Sequence, residues 1–130
     1  MLGDFTRMEL SQVEIALKFT LPARHQQAIY DPSDPIRKRC DFLVTSDQSE
    51  WLDIVRTNQR LHSSEVHDPW PDFLIAFASN GCGDYFAYDI RQWPVRIIYI
   101  DPDRPVAENL TQDDQLTFDS FEDWYASHVA

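Results

Sequence analysis

Cys82 comes nearest in this sequence to a nucleophile, because Gly81 and Gly83 flank it and a turn there would expose its thiol. A thiol becomes reactive when a protonated histidine or a helix N-terminus lowers its pKa. The sequence places no histidine beside it; the four of the chain are His25, His62, His67 and His128. The spacing favours the alternative, in which Cys82 is a small residue in a tight turn.

Metal chemistry has two weak candidates in the sequence. His62 and His67 are five positions apart in a predicted loop, which is no zinc signature. Asp101 and Asp103 flank Pro102 and resemble the two-acid motif that holds a divalent cation in sugar-nucleotide enzymes, but no nucleotide-binding unit accompanies them. Three glycines in the whole chain are too few for a phosphate-binding loop. We therefore expect no catalytic residues, no metal and no cofactor.

The charge of the chain is large and unevenly distributed. Twenty-two acidic residues and eleven basic ones give a net charge of -11, and the second half has only three bases, at Arg91, Arg96 and Arg104. Nucleic acids and anionic membranes are disfavoured as partners, because both are bound through clustered Lys and Arg. A one-sided acidic field can steer a basic partner, or it can simply keep a protein in solution.

The predicted partner-facing surface is the acidic second half, with Trp93 as an aromatic anchor. Interface energy usually concentrates in a few aromatic and charged groups. The alternative for Trp93 is that it caps an edge of the sheet. The acidic candidates are Asp84, Asp89, Asp101, Asp103, Asp113 and Asp114.

The elements that must position these residues belong to one domain, residues 1–130. The 43% hydrophobic content is ample for a core. Two cysteines, Cys40 and Cys82, suit a reducing compartment. The first residues lack the layout of a signal peptide and no apolar run is long enough to cross a membrane. We expect a cytoplasmic protein, monomeric or weakly dimeric.

Along the sequence, helices are predicted before and after the region that forms the sheet. Thr6 to Glu9 reads as a capping box opening a helix that ends near Phe19, and a second helix runs from Pro22 to Tyr30. A third is predicted to begin at Ser46 or Asp47, to carry Trp51 on its apolar face and to end near Leu61. Ser120 caps a last helix containing Trp124.

The sheet is predicted as a meander of three strands, residues 73–78, 85–90 and 95–100, with short strands at 40–44 and 116–118. Residues 106–115 are predicted as a surface loop. The fold class is α+β, an antiparallel meander packed by N-terminal helices and a C-terminal helix. Eight side chains are predicted to be largely buried around the sheet: Phe73, Ile75, Phe77, Phe86, Tyr88, Ile98, Ile100 and Trp124.

Several of these features together resemble a Smi/Knr-like domain of the SUKH superfamily. They are the opening helix running into Leu21 and Pro22, the strand pair 72–77 and 85–89 joined by residues 80–84, a strand ending in Ile100-Asp101, and a closing helix at 120–124. One departure concerns an Asn-Gly-Gly turn that follows the second helix in many members. Here residues 31–35, Asp-Pro-Ser-Asp-Pro, occupy that place.

The resemblance implies a non-enzymatic binding domain. Bacterial members of the superfamily are commonly immunity proteins against secreted or contact-dependent toxins, many of them nucleases, and fungal relatives act as regulatory scaffolds. A nuclease needs a basic cleft, which an acidic inhibitor can cover. Three hypotheses therefore stand: an immunity protein binding a basic toxin, a scaffold for an endogenous partner, and an enzyme for which only Cys82 and the pair Asp101 and Asp103 could be offered.

Overall fold

The computed structural model of the chain describes residues 9–45, 49, 51–65, 68–91, 93–111 and 116–129. Within these residues it has an α+β fold. The helices are α1 (Leu10–Leu17), α2 (Ala23–Tyr30), α3 (Ile54–His62), α4 (Val106–Thr111) and α5 (Phe121–Val129), with a 3-10 helix at Pro35–Lys38. The strands are β1 (Asp41–Phe42), β2 (Leu74–Ser79), β3 (Tyr85–Asp89), β4 (Arg96–Ile100) and β5 (Thr117–Phe118).

The sheet is an antiparallel meander in the order β1-β2-β3-β4-β5, which confirms the predicted fold class. Strand β3 lies at its centre. Tyr85 pairs with Ile100 at one end of the β3–β4 ladder, and Asp89 pairs with Arg96 at the other. The register of β2 against β3 shifts between Ala76 and Ala78, a β-bulge that lets Phe77 turn into the core.

The core lies on both faces of β2 and β3. Of the eight residues predicted to be buried, seven are buried and Phe73 is half-buried. Trp124 of α5 packs edge-on against Phe77, with ring centroids 4.7 Å apart. Truncation of a buried Phe such as Phe77 to Ala is expected to cost ~3–5 kcal/mol through lost burial and the cavity left behind.

Helices α1 and α2 follow the predicted pattern. Val13 and Leu17 form the buried stripe of α1, which ends at Lys18 in the left-handed conformation. The predicted capping box is wrong in its placement of Glu9, which was expected inside the helix but is itself the N-cap, in an extended conformation, and forms a box with Gln12. Thr6–Met8 lie outside the described residues. Helix α2 ends at Tyr30 as predicted.

Asp34 links α2 to α5, the last helix of the chain. Its carboxylate accepts hydrogen bonds from the Ile36 backbone, the Tyr125 hydroxyl and the Arg24 guanidinium, the last at 2.9 Å. Burial alone would raise the pKa of Asp34, but these donors hold it below its usual value. The connector after α2 is therefore a structural joint between α2 and α5.

Helix α3 begins later than the sequence predicted. The predicted caps Ser46 and Asp47 lie outside the described residues, and the helix begins at Ile54, where the Asp53 carboxylate accepts from the Arg56 backbone N–H. The expectation that Trp51 lies on the apolar face of the helix is wrong. Trp51 precedes the helix and is exposed, because Asp53 is the side chain that satisfies the free N–H groups of the first turn.

Asn58 of α3 pairs with the edge of β2. Its amide nitrogen donates to the Ala76 carbonyl at 2.9 Å and its amide oxygen accepts from the Ala76 N–H at 2.8 Å. All three groups are buried. Strand β1 pairs with Ala78 and Ser79, and the Leu43 N–H just after it donates to the Phe77 carbonyl. Asn58 satisfies the following position, Ala76, in place of a strand.

Part of the predicted loop at 106–115 is helical. Val106 and Asn109 of α4 are buried, and Asn109 accepts from the Asp101 N–H and donates to the Asp101 carbonyl, at 2.9 Å each. The loop prediction is wrong for 106–111, because the Asn109 side chain binds the backbone just after β4 and does not point into solvent. The last helix is as predicted: Ser120 Oγ accepts from the Asp123 N–H.

Candidate functional site

The predicted partner-facing residues lie at opposite ends of β3 and β4. Asp84, Asp101 and Asp103 lie at the end where Tyr85 pairs with Ile100, which we call the hairpin end. Trp93 lies beyond the Asp89–Arg96 pair, which we call the groove end. Four residue steps of a strand separate the two ends by ~13 Å. Asp113 and Asp114 are outside the described residues.

Asp89 is not a surface residue. Only 1% of it is exposed, and its carboxylate accepts from Arg91 Nε at 3.0 Å and Arg91 Nη2 at 2.7 Å, with Arg96 3.7 Å away. Burial would raise the pKa of Asp89, but the hydrogen bonds from Arg91 keep it below its usual value. The expectation that Asp89 faces a partner is wrong, because two arginines neutralise it inside the protein.

The hairpin end holds its polar groups in local hydrogen bonds. The Tyr99 hydroxyl donates to Asp84 at 2.6 Å and accepts from the Asn80 amide at 2.7 Å. Burial and this bond to Asp84 raise the pKa of Tyr99 to about 12. Asp101 accepts from the Asp103 N–H and lies 3.8 Å from Arg104.

A small aromatic pocket of about 230 Å³ lies beside the hairpin end. Trp70 meets Tyr85 edge-on in its wall, with ring centroids 5.9 Å apart. Trp51, 67% exposed, is covered on one face by the Arg60 guanidinium, 4.2 Å from the ring centroid. The exposed aromatic group here already has a cationic partner from its own chain.

The groove end opens into a larger cavity of about 1160 Å³. Helix α1 lines it with Glu14 and Ile15, and Lys18 just after the helix lines it too. The turn with Trp93 and Pro94 also belongs to the lining. The floor is formed mainly by apolar and aromatic side chains: Phe19, Leu21, Tyr88, Ile90, Val95 and Phe121. We call this cavity the groove.

Two large apolar side chains stand exposed at the rim of the groove. Trp93 is 86% exposed and Ile15 is 77% exposed. Within the described part of the chain, Trp93 makes no hydrogen bond and no ring contact. Leaving large apolar side chains in water is unfavourable, and a contiguous exposed apolar surface commonly marks an interaction site.

The groove carries an excess of negative charge. Glu14, Asp119 and Glu122 line it together with Lys18 and Arg91. Arg91 is already paired with Asp89. The Glu14 carboxylate accepts from the Leu21 N–H at 2.7 Å, whereas Asp119 and Glu122 are exposed. A cationic group entering the groove would therefore meet two solvated carboxylates.

A buried polar pair lies beneath the floor of the groove. His25 Nδ1 and the Tyr88 hydroxyl are 2.7 Å apart, and the imidazole stacks on Phe121 with ring centroids separated by 4.7 Å. Burial lowers the pKa of His25 to about 3. Its Nε2 is buried and has no partner among the described residues. The histidine is therefore neutral near pH 7.

The two cysteines differ in setting. Burial, with a smaller effect of Asp41, raises the pKa of Cys40 to about 12, so that thiol is not a nucleophile at neutral pH. Cys82 is exposed in the turn between β2 and β3, where its N–H donates to the Asn80 side chain. Gly81 and Gly83 on either side have φ of 86° and 98°.

Neither metal-site candidate gains further ligands. Among the described residues no three His, Cys, Asp or Glu side chains converge on a possible metal position. His62 Nε2 lies 2.7 Å from the Leu74 carbonyl, and His67 is outside the described residues. In the same part of the chain, no helix has the length and apolar character needed to span a bilayer.

Comparison of the chain with protein-family models, with curated proteins and with solved structures finds no match. Sequence reasoning found Trp93 but not the groove beside it, because Ile15 and Glu122 are more than one hundred positions apart in the chain. The available signal was Ile15 itself, an apolar residue off the buried stripe of α1.

Proposed function

We propose that this protein is a non-enzymatic, cytoplasmic protein-binding domain that binds and neutralises a basic toxin, as an immunity protein does. The observation that carries the proposal is the groove, where Trp93 and Ile15 are exposed above an apolar floor. Its volume of about 1160 Å³ exceeds the ~300–1000 Å³ typical of small-molecule sites. A protein surface is the occupant that best fits a site of this size and openness.

The charge of the chain supports a basic partner. The net charge of -11 raises the encounter rate with a cationic protein, and Asp119 and Glu122 extend the acidic surface to the groove itself. The resemblance to the SUKH superfamily supports the immunity role. Both arguments favour a toxin with a basic cleft, such as a nuclease.

Trp93 is proposed as the anchor of the interface. An exposed tryptophan that becomes buried in a complex commonly contributes 2 kcal/mol or more, or about a thirtyfold change in affinity. Trp51 offers a matched control, because it is also an exposed tryptophan but already stacks with Arg60.

The experiment begins with a pull-down from the native host, followed by association and dissociation rates across a salt series. Trp93→Ala is expected to weaken binding about thirtyfold, mainly through faster dissociation, and Trp51→Ala to change it less than about threefold. Co-expression should protect cells from the captured toxin with the wild type and not with Trp93→Ala. An acidic partner, equal affinity of the two variants or an association rate indifferent to salt would contradict the proposal.

A further inference from the structure

The floor of the groove contains no open strand edge within the described residues. Tyr88 belongs to β3, which is paired with β2 on one side and β4 on the other. Beyond the strand, the Ile90 N–H donates to the Phe73 carbonyl at 3.0 Å. An extended peptide lying here could not add a strand to the sheet and would bury its own backbone groups without partners, at a cost for each one.

Two helices line the groove. Helix α1 contributes Ser11, Glu14 and Ile15 at helical spacing, with Lys18 just after its end, and α5 contributes Phe121 and Glu122. An occupant of such a groove must satisfy its backbone internally, and an α-helix is the element that does so. Two turns of helix, ~10 Å across and ~11 Å long, occupy roughly 850 Å³, so two to three turns match the groove.

The composition of the occupant follows from the lining. Trp93 and Ile15, exposed at the groove, and the rings of Phe19 and Phe121 in its lining call for an apolar stripe. Asp119 and Glu122 call for Lys or Arg beside that stripe, because they outnumber Lys18 and because Arg91 is already held by Asp89.

We propose that the groove between α1 and the Trp93–Pro94 turn takes one amphipathic, basic α-helix of the partner protein, with its apolar face against Trp93 and Ile15. The inference rests on the proposed function and adds the element that the partner inserts. It distinguishes this mode from the docking of a folded surface across the acidic hairpin end.

The test is a selection from random peptides displayed on phage. The peptides have roughly 16 residues, because shorter isolated helices are marginal in water. The bait is the full chain, and binders that also bind the double variant Ile15→Ser, Trp93→Ala are removed. Both substituted side chains are exposed, so the variant is expected to fold.

The selected sequences are expected to have apolar residues at positions i, i+3 or i+4, and i+7, with at least two Lys or Arg. A synthetic peptide of that pattern should gain helical circular dichroism when it binds. Its affinity, measured by fluorescence anisotropy, should fall tenfold or more with Trp93→Ala and change less than about threefold with Trp51→Ala.

Charge exchange tests whether the basic residues of the peptide lie against Asp119 and Glu122. The double variant Asp119→Lys, Glu122→Lys should weaken the basic peptide, and a peptide with Glu in place of its Lys or Arg should bind that variant better than the wild type. A preference for acidic peptides by the wild type would overturn the inference.

Two further outcomes would also overturn it. One is enrichment of peptides whose apolar residues alternate, because that period belongs to an extended strand. The other is a selection that yields no peptide dependent on Trp93 and Ile15. Neither outcome decides the proposed function. That function is tested separately by the binding kinetics with the whole partner, in which Trp93→Ala either weakens the complex or does not.

Discussion

The two ends of strands β3 and β4 use their side chains in opposite ways. At the hairpin end Asp84 and Asp101 are partly exposed, and their oxygens are engaged by Tyr99 and by neighbouring backbone. At the groove end the carboxylate of Asp89 is buried under two arginines, and the exposed group is Trp93. The hairpin end therefore carries charge whose oxygens are engaged locally, and the groove end carries exposed apolar surface beside the solvated carboxylates of Asp119 and Glu122.

The comparison separates two contributions to binding that the sequence combines. Exposed carboxylates act over a Debye length and speed encounter, whereas apolar side chains act on contact and slow dissociation. The hairpin end is suited to steering a basic partner, and the groove end is suited to holding it.

Of the effects that distinguish the two ends, the largest is expected on stability, when Asp is changed to Asn at each end. Asp89→Asn should cost about 3 kcal/mol, because it removes charge-assisted hydrogen bonds to a buried carboxylate and leaves Arg91 and Arg96 uncompensated. Asp84→Asn should cost less than about 1 kcal/mol, because that side chain is half exposed. Urea unfolding at pH 7 measures both, and equal losses would remove the distinction between a buried and a surface acid.

Acid is expected to act next, through the pair beneath the groove. The folded-state pKa of His25 is lowered to about 3 from 6.5, so the unfolded chain binds a proton that the folded chain excludes between these values. Stability should fall by about 2 kcal/mol between pH 6.5 and 4.5. Asp34 and Asp89 also have lowered pKa values, and the ionised carboxylates stabilise the fold. This stabilisation is lost only at more acid pH, as each carboxylate protonates.

The control for this pH dependence is the double variant His25→Phe, Tyr88→Phe, which removes both polar partners together. Its stability should be nearly level from pH 6.5 to 4.5, while Tyr88→Phe alone should keep the slope. If the double variant keeps the wild-type slope in thermal or urea unfolding, another group carries the proton uptake.

The turn at the hairpin end should show a smaller, purely conformational effect. Gly81→Val should cost about 1–2 kcal/mol, because φ at this position is 86° and a β-branched residue is strained there. Crowding adds little, since a Cβ would lie 3.8 Å from the Asp41 carboxylate. Cys82→Val, next in the chain and without a positive φ, should change the melting temperature very little; similar shifts for both variants would contradict this account.

The smallest expected effect is the steering by the hairpin end. Asp101→Asn with Asp103→Asn should slow association about twofold at low salt and leave dissociation unchanged, because these carboxylates lie ~13 Å along the strands from the groove end. At 0.15 M, where the screening length is only ~8 Å, the effect on association should largely disappear. Asp119→Asn with Glu122→Gln should change both rates. Stopped-flow mixing with the captured partner measures them, and faster dissociation in the first pair would place the contact surface at the hairpin end instead.

The parts of the fold that sequence predicted are those encoded by local pattern. Alternating and continuous apolar runs located β2, β3 and β4, and the spacing of Phe121 and Trp124 located α5. The start of α3 was missed because Ser46, Asp47 and Asp53 are all acceptable caps, and only packing of Ile54 against the sheet decides among them.

The site was less predictable because it is built from pairs distant in sequence. Asp89 looked like any other acid, because its burial depends on the strands paired on both sides of it, although its closer partner, Arg91, is only two positions away. Asn109 looked like a loop residue, although its amide binds the backbone at the end of β4. Trp93 was predicted as the anchor of a partner-facing surface, and its position in a connection between two strands is local information.

The pairing of Asn58 with Ala76 has a consequence for self-association. An open strand edge is a template on which another chain can add a strand, and proteins that leave one uncovered tend to aggregate. The Asn58 amide occupies both hydrogen-bonding positions of Ala76 just where the short β1 ends, so α3 blocks growth of the sheet in that direction. A change such as Asn58→Leu would leave the buried N–H and carbonyl of Ala76 without partners and weaken the hold of α3 on that edge.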